Sequence, residues 1–240
     1  MFNRMYILLT RPKQAIGEFG AGDYRTPVLF FLFFTIIFTF LQGIASDLRF
    51  AVIMASWGQG AARADISEVL DIFIQFSPMN MIIPLLERSL YSCLGLGFTV
   101  LVLVLLLWAV TGIRSWNPAF TISAYSLPVS SLIFTIHGIL AIPMPFNNPV
   151  FDGISLIFII AGFGAAVIIA AYGLSILGKI PLTTAVIVAL SGILIGVFMT
   201  STFWVMVIHP AISSLDLLIK QVFFPPIEGY PTAAALGKNP

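Results

Sequence analysis

Five long apolar runs, separated by polar or mixed segments, set the pattern of the chain. They are residues 26–45, 90–113, 120–142, 154–177 and 182–208, and none carries an Asp, Glu, Lys or Arg. A hydrocarbon layer about 30 Å thick takes about 20 helical residues to cross, so each run predicts one membrane-spanning helix. The fifth, with 27 residues, is longer than needed and is expected to tilt or project. Polar and apolar residues do not alternate within the runs, and a membrane barrel would show alternating segments of about 10 residues. The expected fold is therefore all-α: a polytopic helical bundle of five transmembrane helices, plus an amphipathic helix in the first loop.

That helix is read in the segment between the first two runs. Asp65 can cap it, with Glu68 placed as in a capping box, and Ile66, Val69, Leu70, Phe73 and Phe76 then share a face opposite Ser67, Asp71 and Gln75. It could lie on the membrane, grip a partner or roof its own bundle. The roof is favoured, because Arg63 is the only cation near it and helices that bind anionic membranes are usually rich in Lys and Arg.

The connections predict the packing of the runs. Arg114–Ala119 and Gly178–Pro181 are short, so the second and third runs, and the fourth and fifth, should form antiparallel hairpins. Pro143, Pro145 and Pro149 keep their loop from being helical throughout. Residues 1–25 precede the first run, and the tail 209–240 has a weaker amphipathic stretch at 211–224 before Pro225 and Pro226. Gly43-Ile44-Ala45 looks like a cleavage site, but the apolar stretch before it is too long for a signal peptide and lies behind a mixed segment.

Composition agrees with the pattern. The chain is 59% hydrophobic and 9% charged, with 22 Phe, whereas soluble domains are about 25% charged. This excludes an ordinary soluble globule and a disordered chain. A net charge of +1 gives no electrostatic case for nucleic acid. Cys93 is the one cysteine, so no internal disulfide forms, and with His137 and His209 it cannot build a Cys/His metal site. No Gly-rich phosphate loop or nucleophile elbow occurs, so no catalytic residue, cofactor or metal is expected.

Cations orient the chain. Arg4, Arg11, Lys13 and Arg25 precede the first run, and Arg114 and Lys179 fall in loops on the same side, while 143–153 has no Lys or Arg. Short segments carry the most orientational weight, giving a cytoplasmic N-terminus, an outer C-terminus and a place in the cell membrane. Trp108, Trp116 and Trp204 near the run ends suit an aromatic belt.

Candidate chemistry concentrates in the third run. Ser123, Ser126, Ser130 and His137 fall on one helical face around Pro128. Pro128 removes a backbone donor and should kink the helix. Such polar groups must face protein or a watered cavity rather than lipid. They make either a polar track for a solute, proton or lipid head group, or the hydroxyl contacts that commonly join membrane helices; the second is favoured. Gly192 and Gly196 form a Gly-x-x-x-Gly pair for close helix packing, internal more than dimeric, since the fourth and fifth runs are forced neighbours. Glu87 and Arg88, just before the second run, read as interfacial anchors rather than an acid–base pair.

The entry Leu8-Leu9-Thr10-Arg11-Pro12-Lys13-Gln14-Ala15-Ile16, the Trp108-containing second run and Ala124-Tyr125-Ser126-Leu127-Pro128 in the third resemble the Yip1 family of five-span membrane proteins. The resemblance covers Leu8 to about Ile208, with Pro12, Tyr125 and Pro128 as its structural marks. It implies a cytosolic N-terminus. Eukaryotic relatives act in vesicle trafficking with small GTPases and carry a long polar N-terminal domain with an Asp-Leu-Tyr-Gly-Pro motif. This chain has neither, and looks more like the bacterial and archaeal members. The expected function is thus that of a non-catalytic membrane scaffold, membrane-organising factor or complex subunit. Its expected partners are the lipid bilayer and a second copy or other membrane proteins. The alternative is a small permease or lipid-translocating protein using the third-run polar face.

Overall fold

A computed structural model of the chain describes residues 1–19, 25–57, 67, 69–74, 82–112, 116–143 and 149–214. Among them there are helices and no strand. In order they are α1 (Phe2–Thr10), α2 (Pro12–Phe19), α3 (Arg25–Trp57), α4 (described over 69–74), α5 (Ile82–Thr111), α6 (Trp116–Leu140), α7 (Pro149–Leu177) and α8 (Leu182–Phe203). Five of the helices are long and apolar enough to cross a membrane. The protein is an all-α polytopic bundle, as its pattern predicts. In hydrocarbon, a helix satisfies every backbone donor and acceptor internally, so an apolar run of this length has few other options.

The five spans alternate in direction. Phe30 of α3 packs on Tyr125 of α6, and twelve residues further along α3, Gln42 bonds Thr135, so α3 and α6 run alongside in the same sense. The glycine contacts show α7 antiparallel to α6, because Gly173 meets Ile122 and Gly162 meets Phe134. Gly192 and Gly196 of α8 likewise meet Leu103 and Thr99 of α5 in reverse order. The most enclosed span is α6, with 56% of its most apolar stretch buried against 28–39% for the other four. Those four turn side chains such as Ile157, Ile160, Ile187 and Phe198 outward, where lipid covers them.

Two large cores hold the bundle. One joins α5, α6, α7 and α8 around Leu103, Ile122, Leu174 and Ile193. The other brings α1 and α2 onto the bundle: Met5, Leu8, Ala15 and Ile16 pack with Phe30, Phe34, Tyr125 and Ile169. Residues 2–19 therefore fold as two helices docked on the membrane domain.

The helices overrun the apolar runs. The first continues from Ala45 to Trp57 and takes in Asp47 and Arg49; the second starts at Ile82, so Glu87 and Arg88 lie inside it rather than before it. The fourth starts at Pro149 instead of Ile154. Hydropathy marks where lipid covers a helix, not where its hydrogen bonds end.

Chain reversals have local causes. Gly112 closes α5 with φ +72°, its N–H bonding the Trp108 carbonyl at 2.8 Å, a left-handed position that suits glycine. Gly178 N–H bonds the Leu174 carbonyl at 2.9 Å to end α7, and Pro181 opens the next helix by accepting the Ala185 N–H at 2.8 Å.

In the first connection, α4 packs on the extension of α3. Val69 is buried with Ala51 and Ala55, and Ile72 and Phe73 lean on the same cluster. Leu70 and Ile74 point outward, at 48% and 64% exposure. The packed face is thus 69–72–73, and Leu70, placed on it from the sequence, is on the other side. Asp65, Ile66, Glu68, Gln75 and Phe76 lie outside the described residues.

Contacts divide the chain into two units, Met1–Phe198 and Met199–Pro240. The second is helical as far as it is described, with a π-helical turn at Trp204–Ile208 and helix on to Ser214. The amphipathic stretch read at 211–224 lies mostly outside the described residues.

Candidate functional site

The third-span face forms on α6 as the spacing requires, and its hydroxyls turn onto their own helix. Ser123 Oγ donates to the Ala119 carbonyl at 2.8 Å and Ser126 Oγ to the Ser123 carbonyl at 3.4 Å. Both side chains are essentially enclosed, at 0% and 1% exposure. Pro128 is buried inside a helix that runs on to Leu140. Just before it, the Leu127 carbonyl accepts both Ser130 Oγ at 2.8 Å and Ser131 Oγ at 3.3 Å. These local bonds replace the partners that water would supply, as Ser and Thr do inside apolar helices.

Further along α6, side-chain hydrogen bonds reach other spans. Gln42 Nε2 reaches across from α3 and donates to Thr135 Oγ1 at 3.1 Å and to the Ser131 carbonyl at 3.3 Å. His137 Nε2 and Ser155 Oγ of α7 share a hydrogen bond of 2.8 Å, and the imidazole also lies 5.5 Å from the Phe158 ring. His137 therefore stands apart from the serine row. It belongs to the junction of α6 with α7.

Charge gathers at this same end of the bundle. The Arg88 guanidinium of α5 lies along α3 at Gly43, 3.8 Å from where a Cβ would stand there. The Arg88 charge acts on the Asp47 carboxylate one helical turn on, without an ion pair between them, and one of the Arg88 terminal nitrogens is buried with no hydrogen-bond partner among the described residues. Arg49 acts electrostatically on His137. Polar side chains of α3, α5, α6 and α7 thus lie toward one end of the bundle, with the His137–Ser155 bond as a direct contact between two of them.

The chemistry open to these side chains is restricted. A Ser–His hydrogen bond is half of an activated nucleophile. The other half is a carboxylate that orients the imidazole, and among the described residues the charge that acts on His137 is that of Arg49. Among the described residues, no group of three His, Cys, Asp or Glu side chains could hold a metal ion. Cys93 is exposed on α5.

The other marked residues serve packing. Pro12 is the first residue of α2, where its missing N–H costs nothing. Tyr125 is 1% exposed, with its ring edge-on to Phe30 at 4.9 Å and its hydroxyl acted on by the Arg4 guanidinium of α1. Gly192 and Gly196 do pack internally, against α5, the second span; the fourth-span packing expected from chain adjacency is not where they point.

Sequence reasoning missed Gln42, and it missed the charges carried into α3 and α5. It also missed the docking of α1 and α2, although Met5 and Leu8, and Ala15 and Ile16, have the spacing of helices with one buried side. Compared with protein-family models, with curated proteins and with solved structures, the chain finds no match.

Proposed function

We propose that this integral membrane protein is non-catalytic and organises membrane: a scaffold or complex subunit of the Yip1 type, in the cytoplasmic membrane, with its N-terminus in the cytosol and its C-terminus outside. The observation that carries the reading is the enclosure of Ser123 and Ser126, whose hydroxyls bond their own helix. Polar groups satisfied this way make a packed core rather than a path. The Yip1 part of the reading rests on the short motifs around Pro12, Tyr125 and Pro128. The orientation rests on Arg4, Arg11, Lys13, Arg25, Arg114 and Lys179, all on one side of a five-span chain.

Crosslinking in native membrane is the test. A second copy or another membrane protein recovered in a defined stoichiometry supports the proposal. A chain that stays monomeric in lipid, with no crosslinked partner, contradicts it. A reporter fused after Pro240 tests the orientation and should be outside the cytoplasm.

The second reading is a small permease or lipid-translocating protein. It is favoured by one observation: beyond the serine row, α6 makes side-chain hydrogen bonds to two other spans, Thr135 with Gln42 and His137 with Ser155. Flux or lipid scrambling in proteoliposomes that vanishes in Ser126→Leu/Ser130→Leu would carry it.

A further inference from the structure

The first helix has two apolar faces, and packing within the protein buries only one. Met5 and Leu8 face the bundle and are buried. Phe2, Tyr6 and Leu9 form a second stripe along the same short helix and are 66%, 65% and 45% exposed. A helix facing water would carry polar residues there. The stripe also joins onto another surface. The Phe2 ring stands edge-on to Phe33 and Phe34 of α3, at 5.6 and 5.5 Å. Phe33 lies among Leu29, Leu32 and Ile36 on the outward side of that span, the side lipid covers.

Charge at the corner between α1 and α2 completes the pattern. Arg11 and Lys13 are exposed on either side of Pro12 and border a shallow cleft with Gln14 and Tyr172. Neither cation has an acidic partner among the described residues. The acid on α2, Glu18, accepts a hydrogen bond from Gln14 at 2.8 Å. An apolar stripe merging with the lipid-facing flank of a span, next to unpaired cations, is complementary to a bilayer surface that bears anionic head groups.

We propose that α1 and α2 lie in the membrane interface. Phe2, Tyr6 and Leu9 enter the boundary between head groups and acyl chains, while Arg11 and Lys13 hold the phosphate of an anionic phospholipid at the corner. The proposal needs only the membrane-spanning fold, and stands whether the protein is a scaffold or a permease.

The test uses the full-length chain in nanodiscs of phosphatidylcholine with or without phosphatidylglycerol. An environment-sensitive dye on Leu9→Cys, in a Cys93→Ser background, should emit in the blue and be quenched by lipids spin-labelled near the head group. Emission typical of water, with no quenching, overturns the interfacial placement. So does a dye shielded only when another protein is added. Native mass spectrometry should show phosphatidylglycerol retained in preference to phosphatidylcholine, and Arg11→Gln/Lys13→Gln should cut that preference by about tenfold, the scale of lost cation–lipid contacts. Added inorganic phosphate should leave the bound lipid in place. Equal retention in the variant, or displacement by free phosphate, overturns the lipid assignment. Both cations are exposed, and unchanged helicity by circular dichroism shows that the variant is folded.

Discussion

Gly196 of α8 lies against Thr99 of α5 so closely that a Cβ added to the glycine would stand 2.5 Å from the threonine hydroxyl oxygen and 2.9 Å from its Cα. The second distance matters more, because a backbone atom cannot rotate away. Gly173 is placed similarly, with a Cβ falling 2.6 Å from Cγ1 of the buried Ile122. These approaches replace the hydrophobic drive that lipid cannot supply between helices.

Gly196→Ala and Gly173→Ala should therefore each destabilise the bundle by about 1–3 kcal/mol, the usual cost of overpacking. Gly97 and Gly164 have nothing within 4 Å of an added Cβ. Alanine there should be neutral, or stabilising by up to about 1 kcal/mol through helix propensity. Unfolding of the four variants in mixed detergent measures the contrast. Equal effects at all four positions would contradict the packing described.

Tyr125 couples the membrane bundle to the helices before it. Its ring fills the core between α3 and α6, and its hydroxyl answers Arg4 of α1. Tyr125→Phe keeps the ring and removes the polar contact. It should leave the bundle folded while loosening α1, read as faster trypsin cleavage after Arg4 and Lys13, the Arg11–Pro12 bond being resistant to trypsin. Tyr125→Ala empties a fully buried site and should cost about 3–5 kcal/mol, as for other large aromatic truncations.

Asp47 and Arg88 should be energetically coupled. Asp47→Asn removes a carboxylate on which the half-buried Arg88 guanidinium acts, and Arg88→Gln removes the guanidinium. A double-mutant cycle on thermal stability in detergent should show the double variant less damaged than the sum of the singles. Strict additivity would mean that the pair contributes nothing jointly.

The spans were legible because a membrane leaves a long uncharged run little choice but helix. The ends of the helices were not. Asp47, Arg49, Glu87 and Arg88 interrupt the hydropathy without interrupting the backbone bonds, so α3 and α5 carry charge into the bundle end that the uncharged runs conceal. Spacing put Ser123, Ser126 and Ser130 on one face, yet could not tell that each hydroxyl would bond its own helix. Gln42 was invisible for a related reason: a lone amide in an apolar run has no periodicity, and its partners on α6 are 89 and 93 residues away. Gly192 and Gly196 announced a close contact, but the neighbour they meet is a property of the bundle's three-dimensional order.

The enclosure of the third-span serines is the central claim, and thiol accessibility at Ser126 tests it most directly. In a Cys93→Ser background, Ser126→Cys should resist a membrane-impermeant thiol reagent applied from either side of the bilayer. Lys13→Cys, at an exposed position, should react readily and serves as the control. Labelling of Ser126→Cys from one side or both, at a rate near that of the control, would mean that water reaches the middle of the third span, and would contradict the account.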